Sequence, residues 1–344
     1  MIVNPWSITG AVVDLLSSGL ALSTVGLSGH LLLHIPGRNA AGEQVSMQEN
    51  RLYLVFWMGC VLLLIRALAW PFFYLVLHSF VSEVQGTMCI FGVRNLMPRL
   101  TRFLELIKPL LFFLGLVWLV LFRLERTGEY DQEAGRRGRL IILVLLLASA
   151  LTGCADSLGS LLLWIRSSAE LAVSCCTTVT DIPSRFTVWI PLSLFGPAYE
   201  RPLWYGYFAS TVLVLLLAWM SRLYLDRRGF SARLMAATAM AGLLNAVVTV
   251  LATIEVIAPM LMQLPFHHCL YCMLQKVADA PLFAGLFVVA TCCVCAVFPV
   301  WLLARSWSAP GPLQRTLTLL LDTGCLALAG SLLMVCVHLV LLRG

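Results

Sequence analysis

The sequence predicts an all-α polytopic membrane protein. Three observations carry this. Of 344 residues, 60% are hydrophobic, only 12% are charged, and five long runs contain no Asp, Glu, Lys or Arg. A soluble domain carries about 25% charged residues. A chain with half that share cannot cover a water-facing surface of this size. A soluble enzyme, a disordered regulator and a nucleic-acid binder are therefore excluded, and the implied solvent is a lipid bilayer.

The charge-free runs are Leu15–Gly37, Pro202–Ser221, Leu234–Ile254, Ala280–Ala304 and Thr323–Leu342. Each is long enough for a helix to cross a core of about 30 Å at about 1.5 Å per residue. Three further stretches are nearly as apolar: Leu52–Leu77, broken by Arg66; Lys108–Phe122; and Leu140–Trp164, broken by Asp156. About eight transmembrane helices result, near 11–34, 52–78, 103–123, 140–165, 203–222, 232–260, 280–305 and 316–342. None alternates as the strands of a lipid-facing barrel do. No Lys or Arg precedes Arg38, so the first run lacks the basic start of a cleavable signal and reads as a retained helix.

Lys and Arg set the orientation. The odd-numbered loops hold thirteen and the even loops with the C-terminus nine, with the strongest contrast at 125–139 and 222–233. Both termini and the even loops are thus expected outside. In a bacterial inner membrane that side is the periplasm. The net charge of +6 follows from this asymmetry and needs no acidic partner.

Two even loops depart from plain connectors. The fourth, 166–203, is long, holds Cys175 and Cys176, and interleaves prolines with Phe186, Trp189, Phe195 and Tyr199. Such aromatics suit a membrane interface, so a partly helical outer cap is expected. The sixth contains His267, His268 and a C-x-x-C pair, Cys269 and Cys272, just before the seventh span. A helix start favours a thiolate, and the two sulfurs would stand one turn apart. The histidines can add positive charge or move protons. The second loop adds Cys89 in Met88-Cys-Ile-Phe-Gly92, so five of the twelve cysteines fall on one predicted face. An oxidising compartment on that side would let disulfides form and persist.

Cys60, Cys154, Cys292, Cys293, Cys295, Cys325 and Cys336 lie within spans and read as inert packing. By residue type, His267, His268, Cys269 and Cys272 also suit a zinc or copper ion. Arg66, Asp156 and Glu255 are ionisable groups within spans. They are candidates for function or for polar bridges between helices. Asp156 and Glu255 are expected near hydrated outer ends, and His30, His34 and His338 read as structural.

The segment from Cys176 to Gly196 resembles the cysteine loop of the vitamin K epoxide reductase family, through Cys176, Val179, Pro191 and Gly196. Cys269-Leu-Tyr-Cys272-Met273 is similar to the family's C-x-x-C, with two intervening spans in the same order. The likeness covers about 140–304. It implies an N-terminal three-helix module at 1–139, a four-helix bundle at 140–305 capped by the loop 166–203, and an added helix at 306–344. It also implies a thiol–disulfide oxidoreductase that passes electrons from dithiols, for example on a thioredoxin-like periplasmic protein, to ubiquinone or menaquinone. Cys176 would exchange with Cys269, and Cys272 would face the quinone. The family's second loop cysteine falls at Ser168, where Cys175 or Cys89 would have to substitute. Its quinone-binding Ser/Thr pair falls at Asp181 and Ile182. Asp181, Thr180 or Ser184 would then meet the quinone, with His268 beside them. Two other functions stay open: a non-catalytic subunit of a larger membrane complex, and a metal-binding membrane protein.

Overall fold

The computed structural model describes residues 2–34, 42–127, 132–168, 180–182 and 185–341. Eight helices among them are long and apolar enough to cross a membrane, and no strand occurs among the described residues. The chain is an integral membrane protein. In order the helices are α1 (Pro5–Leu33), α2 (Gly42–Ser79), α3 (Ile90–Arg94), α4 (Pro98–Thr127), α5 (Gln132–Arg166), α6 (Phe186–Phe195), α7 (Glu200–Arg228), α8 (Ala232–Ala252), α9 (Ala258–Met262), α10 (Leu270–Lys276), α11 (Ala280–Ala304) and α12 (Pro310–Leu341). A π-helical turn, Thr253–Ile257, joins α8 to α9.

The chain divides into two compact units. The first comprises Met1–Gln85, Val93–Val173 and Leu303–Pro312; the second comprises Gly86–Gly92, Ser174–Leu302 and Leu313–Gly344. These limits differ from the modules read in the sequence. The expected boundary at 139 falls within α5, which packs against α1 and α4 in the first unit, and most of α12 belongs to the second.

In the first unit, α1 begins earlier than its charge-free run. Pro5 opens it after an Asn4 cap, whose side chain accepts from Ser7 N at 2.8 Å while Ser7 Oγ accepts from Asn4 N at 3.0 Å. Asp14, just before the charge-free run, lies within α1. The buried face of α1 is Ser7, Gly10, Asp14, Ser17, Ala21, Thr24 and Ser28, whereas Leu15, Leu16 and Leu22 are exposed. Small and polar residues facing inward with leucines outward is the pattern of a membrane helix seam.

That seam meets a buried charge network. Arg66 of α2 donates to Asp14 and to Asp156 of α5; Lys108 of α4 donates to Asp156 at 2.6 Å. Trp164 Nε1 donates to Asp14 at 2.8 Å, and Arg66 also donates to Ser17 Oγ at 3.2 Å. Lys108 lies 4.3 Å from the centre of the Phe73 ring. Two acids balance two bases, which lowers the cost of burying charge. Asp156 is 2% exposed, so the expectation of a hydrated position for it is corrected. Lys108 is 1% exposed and lies in the protein interior.

In the second unit, α7 and α8 are joined by polar pairs: Ser221 Oγ to Thr238 Oγ1 at 2.7 Å, and Ser210 and Thr211 donating to Asn245 Oδ1. Gly242 of α8 and Gly324 of α12 let both helices approach Val294 of α11; a Cβ added at Gly324 would stand 2.8 Å from Val294 Cγ2. Arg222 pairs with Asp322 across α7 and α12, and His338 pairs with Asp279. The loop expected to be partly helical contains α6, a ten-residue apolar helix with Trp189 and Leu194 exposed.

Candidate functional site

The site lies in the second unit and starts from Pro259. A proline has no N–H to continue a helical ladder and crowds the preceding turn. Just before it, α8 loosens into the π turn, and Ala258 N donates to Thr253 O, five residues back. In an α-helix Ala258 would serve Ile254 O; in the π register that donor would be Pro259, which has none. Ile254 O is thus left for another partner, and His268 Nδ1 lies 3.3 Å from it. Serving that carbonyl puts the ring proton on Nδ1 and leaves Nε2 as the acceptor. Burial, and then the Arg185 charge, push the His268 pKa below its ordinary value, so the neutral ring is favoured.

The same turn aims Glu255 inward, where its side chain is fully buried. π turns inside α-helices recur at functional sites. Arg185 Nε lies 3.1 Å from both Glu255 oxygens, and its Nη2 donates to Glu255 Oε2 and to Tyr199 Oη. Tyr199 in turn donates to Glu255 Oε2 at 3.1 Å. Burial, followed by the Glu255 charge, pushes the Tyr199 pKa up to about 12. This group ties the segment leading into α6 to the end of the sixth span. Glu255, like Asp156, is an ion-paired buried residue and not the hydrated one expected.

Past α9 the chain reverses at Gln263, whose φ of 55° is left-handed. It then delivers His267, His268 and Cys269. His267 Nδ1 lies 2.9 and 3.1 Å from the Asp181 oxygens, and Thr180 Oγ1 donates to Asp181 at 2.9 Å. Asp181, expected with Thr180 to meet a quinone, is thus engaged by both Thr180 and His267. Ser184, Cys175 and Cys176 lie outside the described residues.

Cys269 caps the start of α10, with Cys272 one turn on. The C-x-x-C therefore opens a separate seven-residue helix and not the seventh span, which begins at Ala280. The segment Gly86–Gly92 contributes the third sulfur. The Sγ atoms of Cys89, Cys269 and Cys272 all lie within 4.8 Å of one another. The three residues are 2%, 1% and 8% exposed, in an apolar setting with Phe91, Met262 and Tyr271. The Phe91 and Tyr271 rings pack on each other with centres 6.3 Å apart. Among the described residues no cysteine is joined in a disulfide.

The sequence placed Cys269 and Cys272 at the site but gave Cys89 only as a substitute for a loop cysteine. The shared loop side was its one signal. The roles of Arg185 and Tyr199 had no signal in the sequence. Of the four residues that by type also suit a metal, Cys269 and Cys272 gather with Cys89 among the described residues, and His267 and His268 do not join that group. No family model matches the chain, and neither a curated protein nor a solved structure matches it.

Proposed function

We propose that the second unit is a membrane thiol–disulfide oxidoreductase that passes electrons from a substrate dithiol to a quinone. The observation that carries this is the third sulfur, Cys89, within 4.8 Å of the Cys269 and Cys272 sulfurs. Disulfide exchange needs an attacking sulfur at contact with a disulfide, and a thiolate leaving group. The motif resemblance to the vitamin K epoxide reductase family supports the same chemistry.

In the cycle, a substrate thiolate attacks Cys89 of a Cys89–Cys269 disulfide and displaces the Cys269 thiolate. The second substrate thiol breaks the mixed disulfide. The substrate leaves oxidised, and Cys89 and Cys269 have taken two electrons and two protons. Cys269 and Cys272 then give two electrons and two protons to a quinone, forming quinol and a Cys269–Cys272 disulfide. Attack by the Cys89 thiolate on Cys269 restores the starting bond and leaves Cys272 reduced. His268 Nε2, next to Cys269 in the chain, is the nearby proton acceptor. Ubiquinone or menaquinone would be the acceptor, and a thioredoxin-like protein on the periplasmic side of a bacterial inner membrane the donor. Cys175 and Cys176 would extend the relay toward that donor.

Joint Cys269→Ser and Cys272→Ser substitution should abolish quinone reduction by a dithiol in detergent. Cys89→Ser should slow it at least about tenfold. Disulfide mapping of the oxidised protein should find Cys89–Cys269 or Cys269–Cys272. Full activity in the double variant, or three unpaired thiols after oxidation, would refute the mechanism. The alternative is a non-catalytic subunit of a larger membrane complex. It is favoured by the engagement of Asp181 with both Thr180 and His267, which occupies groups expected to hold a quinone. Stoichiometric co-purification with other membrane subunits and no dithiol oxidation would select it.

A further inference from the structure

The three sulfurs also suit a second chemistry, one that does not depend on disulfide exchange. A metal with bonds of about 2.3 Å to sulfur holds its ligands about 3.7–4.0 Å apart. The Cys89, Cys269 and Cys272 Sγ atoms, mutually within 4.8 Å, are already close to such a triangle. They come from two chain segments fixed independently, one by Gly92 N donating to Cys89 O at 3.0 Å, the other by Met273 N donating to Cys269 O at 3.1 Å. No His, Asp or Glu atom of the described residues joins the group. Structural zinc almost always takes four ligands, which these residues do not supply. Thiolate and thioether sulfur select soft ions, copper(I) and zinc among them, and of these two copper(I) is the one that a three-sulfur set can complete. Met262 packs against the cluster that these cysteines form with Phe91, and its side chain carries a thioether.

We infer that Cys89, Cys269 and Cys272 form a buried copper(I) site, with Met262 as an accessory sulfur. Binding is ligand exchange with no change of oxidation state: copper(I) leaves its chelator, each bond to a cysteine sulfur replaces an S–H bond whose proton passes to the buffer, and the neutral Met262 thioether releases no proton. Only the reduced thiols bind.

The test uses the full chain in detergent, reduced with a phosphine under anaerobic conditions and titrated against copper(I) held by a chromophoric chelator. One copper per chain should be withdrawn. Cys89→Ser, Cys269→Ser and Cys272→Ser should each weaken binding by more than about 100-fold. Met262→Leu should weaken it about tenfold. Cys336→Ser, and joint Cys175→Ser and Cys176→Ser, should retain it. Retained thermal unfolding transitions show that the variants are folded. Copper-edge absorption should find sulfur neighbours only. The inference is overturned if the wild type takes no more copper than the Cys89/Cys269/Cys272 triple Ser variant, if zinc displaces copper(I) at equal concentration, or if nitrogen is found on the metal. Dithiol oxidation is measured on the same metal-free preparations. Turnover without copper binding refutes this inference alone, and copper binding without turnover refutes the redox mechanism alone.

Discussion

Replacing Glu255 by Gln preserves shape and removes one charge from the fully buried end of the sixth span. In the native protein the carboxylate accepts from Arg185 through two nitrogens and from Tyr199 at 3.1 Å. A Gln amide offers one oxygen and turns an NH2 group toward those donors, so at least one loses its acceptor. Breaking a buried pair by removing one partner costs about 3–5 kcal/mol. Arg185 is 11% exposed and keeps its bonds to Ile182 O and Tyr199, which places the loss near the lower end, about 3 kcal/mol. That is a shift of roughly 150-fold in the folding equilibrium. Equilibrium unfolding in mixed micelles, followed by tryptophan fluorescence, measures it. Joint Glu255→Gln and Arg185→Met removes both charges. It should cost less than the sum of the single changes, with a coupling of at least about 1 kcal/mol. A single-variant loss below about 0.5 kcal/mol, or strict additivity, would refute the ion pair as the organiser of this end of the unit.

Asp156→Asn should destabilise the first unit by about 3–5 kcal/mol, because Lys108 and Arg66 then share one acid; adding Lys108→Met should recover at least about 1 kcal/mol in the same unfolding assay. Gly324→Ala should cost about 1–3 kcal/mol, because the new methyl would meet Val294 Cγ2 at 2.8 Å. The folded-state pKa of Tyr199 is raised from 10.0 to about 12, so its stabilising effect is complete below pH 10.0 and lost as pH rises toward about 12. The alkaline unfolding midpoint of Tyr199→Phe should therefore lie above that of the wild type relative to their neutral-pH stabilities, and an unchanged pH profile would contradict the shift.

The spans were legible because lipid cannot satisfy backbone polar groups, so a crossing segment must be a long apolar helix. Charge counting was less secure. Asp14 sits one residue before a charge-free run, and Lys108 sits beside Pro109 at the edge of another. Only their pairing with Arg66 and Asp156, on other helices, shows that both are interior. At the site, the sixth span read as a plain apolar helix, and neither the π register before Pro259 nor the carbonyl it leaves to His268 was foreseen. Cys89 was out of reach for a different reason. Its proximity to Cys269 and Cys272 is a long-range fact set by the packing of Phe91 on Tyr271, and spacing along the chain carries no trace of it. The spans in the second unit also differ from the four that the motif resemblance would group, since α5 packs on α1 and α4.

The network in the first unit bears on how the chain enters the bilayer. Each of its four spans brings one charge: Asp14 on α1, Arg66 on α2, Lys108 on α4 and Asp156 on α5. A charged residue at the centre of an inserting helix opposes entry by about 2.5–3.5 kcal/mol. Read in order of synthesis, the signs are minus, plus, plus, minus, so the first two helices form a neutral pair and the last two form another. The α1–α2 and α4–α5 hairpins should then integrate as pairs, each helix supplying the counter-ion its neighbour lacks. In a translocation assay, α1 with its polar inner face should integrate poorly alone and well when α2 follows it, and Arg66→Leu should remove that dependence on order.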